Sequence, residues 1–435
     1  MLTYHLKTAL TSLRRNPVLT ALLIGGIALG ICVSTAFVTL RHFYTKAPLP
    51  TKSDTVHYVR LDSWGKQPFR DIEGSVPDQI TYRDARALMR SPIPKRQTPT
   101  YVAAMFIYPD PKVARPYQPD VRLVMSDFFD MFEMPFAYGG PWTKASDAKP
   151  EYVTVIDHAT NEKLFGGTNS VGKSIRLGER TYRITGVLAP YRPPMRVYDL
   201  TRNSFGPPEP VFIPFNLCEP LQLYTIGNTS GWNGVPVNTF QDFLVSERAW
   251  IQYWVELPDA KSKAAYADWL RGYILDQKKV GRFTRPLKFE LTTIQGLVAE
   301  WGLMPSGVKA MSVVSLLFLV VCSLNLVGIL LGKFLARIPE VSVRRALGAS
   351  RAQIFWQHVI ECELIGAIGG IAGIALSIGI LSILARFMQN GEALHLDGEM
   401  LLLATILSLV AGLLAGIYPA WRVCSVAPAM QLNVQ

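Results

Sequence analysis

The chain has 435 residues, of which 49% are hydrophobic and only 18% charged, with a formal net charge of +11. That balance points to membrane spans, whose cytoplasmic loops collect Lys and Arg. With neither an RNA-binding signature nor zinc-finger spacing, it argues against a nucleic-acid partner.

Residues 1–17 open the chain as an amphipathic interfacial unit. Leu2, Leu6, Leu10 and Leu13 form one helical stripe, Lys7, Arg14 and Arg15 suit anionic headgroups, and Pro17 marks the corner into the first span. Val18 to Leu40 is a run of 23 uncharged residues. At ~1.5 Å per residue it is about 34 Å long, enough to cross a bilayer core with some tilt. It exceeds the ~7–15 residues of a signal-peptide core, and reads as an uncleaved anchor.

Residues 41–309 contain no comparable run and alternate strand and helix signals. Strands are expected at Thr55–Leu61, Tyr152–Ile156, Arg183–Leu188, Val211–Phe215 and Trp250–Leu257. Helices are expected at Asp78–Arg90, Asp157–Phe165 and Ser262–Lys279. The Pro and Gly clusters at 190–210 and 227–236 read as long surface loops. Among the five cysteines, Cys32, Cys218, Cys322, Cys362 and Cys424, only Cys218 falls well inside this segment, so it builds no internal disulfide.

Gly167, Gly172, Lys173 and Ser174 fit the phosphate-loop pattern G-x-x-x-x-G-K-[ST]. A working phosphate loop follows a strand and opens a helix. Here a helix-like ATNEKLF precedes it, and SIRLGERTYRITGVL follows as a hairpin turning near Gly178–Glu179. The expectation is a turn in which Gly172 supplies an unusual backbone angle, with no nucleotide bound. His5, His42, His57, His158, His358 and His395 are scattered, so no metal site is expected, and no nucleophile–base pattern marks a catalytic residue.

Three further uncharged runs follow: 310–332, 364–385 and 400–421. Basic residues gather before the first span and after the second (Lys333, Arg337, Arg344, Arg345, Arg351), and Arg422 follows the fourth. The positive-inside rule then puts both termini (with the 422–435 tail) and the 333–363 loop in the cytoplasm, and 41–309 and 386–399 outside. No Asp, Glu, Lys or Arg lies inside the four cores, which argues against an ion-coupled carrier. Asn325 reads as an interhelical hydrogen-bond former. Gly26 with Gly30, Gly366 with Gly370, Gly369 with Gly373, and Gly412 with Gly416 are spaced for close helix packing.

The 333–363 segment carries the most specific signals. Pro339 and Glu340 suit a first helical turn, Gly348 a stop, and Ser350 with Gln353 a capping box. A basic helical elbow is expected.

The segment EVSVRRALGASRAQIFWQHVIECELIGAIGGIAGIALSIGI resembles the hallmark of MacB/FtsX-type ABC transporter permeases, through Glu340, Arg344, Arg345, Ala346, Leu347, Gly348, Ala349 and Ser350. The close, YPAWRVCSVAPAMQL, is similar to that family's, with Pro419, Ala420, Arg422 and Pro428 in place. Phe128–Phe129, Gly139–Gly140, Leu164–Phe165–Gly166, Gly172–Lys173 and Gly186–Val187 resemble the MacB periplasmic core domain, whereas 190–300 matches less clearly. The resemblance implies four transmembrane helices, one plus three, around a large α+β extracytoplasmic domain in a bacterial inner membrane. It implies that residues 339–351 couple a non-catalytic permease to a separate ABC ATPase subunit that uses ATP and Mg, with the chain itself binding no cofactor. It further implies a second permease subunit, identical or related, and mechanotransmission to the outer domain. Substrate options are tripartite efflux of drugs, peptides or lipids with a membrane-fusion protein and outer-membrane channel, lipoprotein extraction, or FtsX-like control of a periplasmic partner.

Overall fold

The computed structural model describes residues 11–13, 16–45, 49–112, 114–191, 193, 195–202, 204–302, 306–387 and 394–425. Most of the expected N-terminal amphipathic helix, and the tail with Pro428, lie outside them. The chain divides into two compact units, residues 47–301 and the two flanking segments together.

The flanking segments form four helices long and apolar enough to cross a membrane. They are α1 (Pro17–Thr45) before the 47–301 unit and, after it, the helix Ser306–Leu335, the helix Arg351–Phe387 and the helix Gly398–Ser425. The one-plus-three layout is thus present. Leu23, Ile27 and Ile31 of the first pack with Leu319, Leu326 and Leu330 of the second, and with Ile365 and Ala411 of the others. Asn325 departs from expectation: it is exposed on the outer face of its helix and enters no described hydrogen bond.

The 47–301 unit is an α+β domain. Its helices are α2 (Tyr82–Leu88), α3 (Asp127–Met131), α4 (Lys144–Ala148), α5 (His158–Phe165), α6 (Phe240–Val245), α7 (Ala260–Lys279) and α8 (Ile294–Glu300). Its strands are β1 (Val56–Leu61), β2 (Ile80–Thr81), β3 (Arg96–Ala104), β4 (Asp120–Val124), β5 (Phe136–Gly139), β6 (Val153–Ile156), β7 (Ser174–Leu177), β8 (Arg180–Leu188), β9 (Val211–Pro214), β10 (Ala249–Glu256) and β11 (Phe289–Thr293). The remaining helices, in chain order, are α9 (Ser306–Leu335), α10 (Ile338–Ala346), α11 (Arg351–Phe387) and α12 (Gly398–Ser425).

The strands make one mixed sheet in the order β11-β1-β10-β3-β4-β9-β6-β8-β5, with β2 on β10 and β7 on β8. Only β4–β9 and β6–β8 run parallel. Aromatic residues fill the core: Phe132 meets Trp254 edge-on at 5.3 Å, and Phe129 meets Phe212 at 5.4 Å. Such pairs add about 0.5–1.5 kcal/mol each beyond area burial.

Two expectations need correction. The helix expected at Asp78–Arg90 starts only at Tyr82, because Ile80 and Thr81 pair with Ile251 and Ala249 of β10. Thr81 then caps α2, its hydroxyl accepting from the Asp84 amide at 3.1 Å. The described residues of 190–210 have no regular secondary structure, yet residues 195–200 are all buried, so these are no surface loop. An ion cluster holds it inside: Arg122 on β4 reaches Asp199 at 2.6 Å and Glu209 at 2.7 Å, and Arg196 reaches Glu209 at 2.7 Å. Buried charge is tolerated only when paired in this way.

The phosphate-loop lookalike follows α5 and runs into β7, the reverse of a nucleotide site. Gly172 has φ +85°, and Lys173 lies over the Phe165 ring at 5.4 Å.

Candidate functional site: the elbow and its buried ion cluster

The elbow is α10, a tight break, and the start of α11. Pro339 fits the first turn of α10, where an amide would lack an intrahelical partner anyway. Ile338 and Val341 are the buried residues of α10. At Gly348 φ is +100°, a conformation side chains oppose, and the helix stops there. The Ser350 hydroxyl then accepts from the Gln353 amide at 3.2 Å, while the Gln353 side chain accepts from the Ser350 amide at 3.0 Å. That capping box restarts the chain as α11, continuous from Arg351 through the third apolar run. The second helix expected from Ser350 is thus present, running from Arg351 onward.

The outer surface of the elbow is partly apolar. Val343 is 58% exposed and Leu347, one turn on, 83%; Trp356 on α11 is 58% exposed. Glu340 and Arg344 pair at 2.6 Å along α10, and Arg344 also reaches Gln357 at 3.4 Å. Arg345 is half-buried, Ala346 and Ser350 are exposed, and Ala349 packs against the core. The eight residues picked out by motif lie on one short stretch, where Val343 and Leu347, one turn apart, are both exposed.

Beneath the elbow lies a cluster that sequence reasoning missed. Lys333 and Glu361 pair at 2.6 Å with side chains 2% and 3% exposed. Arg337 comes to 3.5 Å from the other Glu361 oxygen. Ser12 donates its hydroxyl to Glu361 and accepts from Arg337 at 2.6 Å. Beside them His358 donates Nδ1 to the Ile354 carbonyl at 2.8 Å, its ring edge-on to Phe334 at 4.4 Å. Residues before α1, at the end of α9 and on α11 are thereby pinned at one point. A 180 Å³ notch borders the cluster, lined by Ser12, Arg337, Val341, Arg344 and His358 among others. The sequence did carry a signal: Ile354, His358, Glu361 and Ile365 share one helical face, so Glu361 belongs to the buried stripe.

The paired glycines lie at helix contacts. A β-carbon on Gly366 would come within 3.1 Å of Gly412, and one on Gly373 within 2.7 Å of the Ala28 carbonyl oxygen. Gly369 faces Ile27, Gly370 faces Ser408, and Gly416 faces Cys362. Gly26 and Gly30 lie against Leu326 and Leu319 of α9. No cluster of three metal-binding side chains occurs among the described residues.

Two family models match this chain. The MacB-like periplasmic core domain covers residues 20–273, and the FtsX-like permease C-terminal domain covers 312–428. The macrolide export ATP-binding/permease protein MacB of Chromobacterium violaceum is 23% identical over 428 residues, covering 97% of this chain and 59% of the relative. The "Probable syringafactin export ATP-binding/permease protein SyfD" of Pseudomonas syringae pv. tomato is 23% identical over 426 residues, covering 97% and 57%. The chain thus spans less than two thirds of the length of these relatives. The periplasmic region of MacB from Actinobacillus actinomycetemcomitans is similar at 13% identity and a TM-score of 0.36, covering 60% of this chain and 96% of that one.

Proposed function

The chain belongs to the family of permeases that join a MacB-like periplasmic core domain to an FtsX-like permease domain, and from that premise we propose that it is the non-catalytic transmembrane subunit of an ABC transporter. Its partner is an ABC ATPase on a separate polypeptide, using ATP and Mg. That partner docks on the elbow at residues 338–351, in the cytoplasm, with both chain termini on the same side. The observation that carries this reading is the exposed pair Val343 and Leu347, one turn apart on the elbow beside Glu340, Arg344 and Arg345.

When two ATPase subunits close on ATP, the elbow is displaced. α10 has its own buried face, and α11 begins at the capping box without a flexible linker. The displacement therefore passes into α11 and, through the Lys333–Glu361–Arg337 cluster, into α9 and the segment before α1. A second permease subunit supplies the symmetric counterpart. One relative is named for macrolide export and another for "probable syringafactin export", so the cargo proposed is a drug, peptide or lipid expelled through a fusion protein and an outer-membrane channel.

Arg344→Glu and Gly348→Pro should each abolish stimulation of the partner's ATPase while the protein still reaches the membrane. Full stimulation in both variants would remove the elbow from the coupling path.

A further inference from the structure

Beside the ion cluster a groove of 650 Å³ opens between the start of α1 and the end of α9, lined by Asn16, Leu19, Gly328, Gly332, Lys333 and Arg337 among others. Its wall is apolar and shallow because the two glycines leave it so: a β-carbon on either would meet no atom within 4 Å. Its cationic lip is Arg337, 20% exposed, with Lys333 buried behind it. Lys333 and Arg337 share the single carboxylate of Glu361, so the three carry one net positive charge. Lys333 directly follows the uncharged run 310–332, which sets the lip at the depth of lipid headgroups.

We propose that this groove binds an anionic glycerophospholipid, its phosphate at Arg337 and an acyl chain along Gly328 and Gly332. An apolar wall under a positively charged lip matches an amphiphile with one negative charge, and a free phosphate would leave the wall uncovered. The bound lipid balances the second cation of the cluster. This site does not depend on the assignment of an ATPase partner.

The test is native mass spectrometry of the full chain in mild detergent, with phosphatidylglycerol or phosphatidylcholine of identical acyl chains added. Wild type should retain phosphatidylglycerol in preference to phosphatidylcholine. Arg337→Gln should weaken that retention roughly five-fold, the loss expected for one basic side chain at a headgroup. Gly332→Leu fills the groove without touching the ion cluster, so it decides the matter if Arg337→Gln fails to fold; it should displace the lipid. Lys309→Gln, near the start of α9, should change nothing. Equal binding of the two lipids, or unchanged phosphatidylglycerol binding in Arg337→Gln and Gly332→Leu, would overturn the proposal. So would conversion of dimers to monomers by Gly332→Leu with lipid binding intact, which would assign the groove to a helix of a second copy.

Discussion

Lys333, near the end of α9, and Glu361, three turns into α11, lie 2.6 Å apart, and neither side chain is more than 3% exposed. Twenty-eight positions separate them in sequence, and the whole elbow lies between. The elbow therefore lies within a stretch of chain that an ion pair closes. A push on it moves α9 and α11 together.

Removing one partner should be costly. Glu361→Gln leaves the buried Lys333 and the half-buried Arg337 against a neutral side chain, and Lys333→Met leaves Glu361 with Arg337 and Ser12 alone. Each should lower stability by about 3–5 kcal/mol. The double variant Lys333→Met/Glu361→Gln should recover much of the loss, because no carboxylate is then left beside the missing lysine. Thermal unfolding in detergent reads the cycle; additive losses would mean that the pair does not act as a unit.

The glycines divide into two kinds that thermal unfolding should separate. Gly373→Ala forces α1 and α11 apart at the Ala28 carbonyl and should cost about 1–3 kcal/mol. Gly328→Ala adds a methyl group to open space, where the better helix propensity of Ala should leave stability unchanged or raise it by up to about 1 kcal/mol. Equal effects would contradict the packing described for α1, α9, α11 and α12.

Acid should weaken the 47–301 domain through Glu209. Burial alone would push this carboxyl up, but Arg122 and Arg196 outweigh it and hold the group down at about 2. Asp199 is pushed up instead, by burial. A depressed carboxyl contributes stability that is complete above its unfolded pKa and is lost as pH falls through the folded one. The Glu209 contribution should thus fade below pH ~4.5, the ordinary glutamate range, and be gone below about 2. Glu209→Gln should be less stable at neutral pH and show a flatter loss across that window, followed by tryptophan fluorescence of the full chain. An unchanged acid profile would remove Glu209 from the cause.

Lys173→Ala should not alter nucleotide binding, since the segment around it runs from helix to strand and Lys173 covers Phe165. Equilibrium binding of ATP to the purified chain checks this. Tight binding lost in Lys173→Ala would restore the phosphate-loop reading.

Hydropathy made the four long helices legible, because a span needs some twenty apolar residues in one run and little else. The elbow was legible for a different reason: Pro339, Gly348, Ser350 and Gln353 act locally, each on backbone groups a few residues away. The Lys333–Glu361 cluster depends on which faces of two helices meet, and basic residues beside a span read first as topology signals. Asn325 shows the converse, since its polarity was plain but the outward direction of its side chain was not. The buried 195–200 segment was missed because Pro and Gly rule out regular structure without requiring exposure. Only the long-range contacts to Arg122 place it inside.

The account rests most directly on an ATPase held at the elbow. Affinity purification of the full chain from its own membranes in mild detergent, with identification of the co-eluting proteins, measures this. An ABC ATPase should co-elute with wild type and be lost from Leu347→Asp, a change on the elbow's exposed surface that leaves the buried cluster intact. Absence of any ATPase under several mild conditions, or equal recovery from both proteins, would contradict the account.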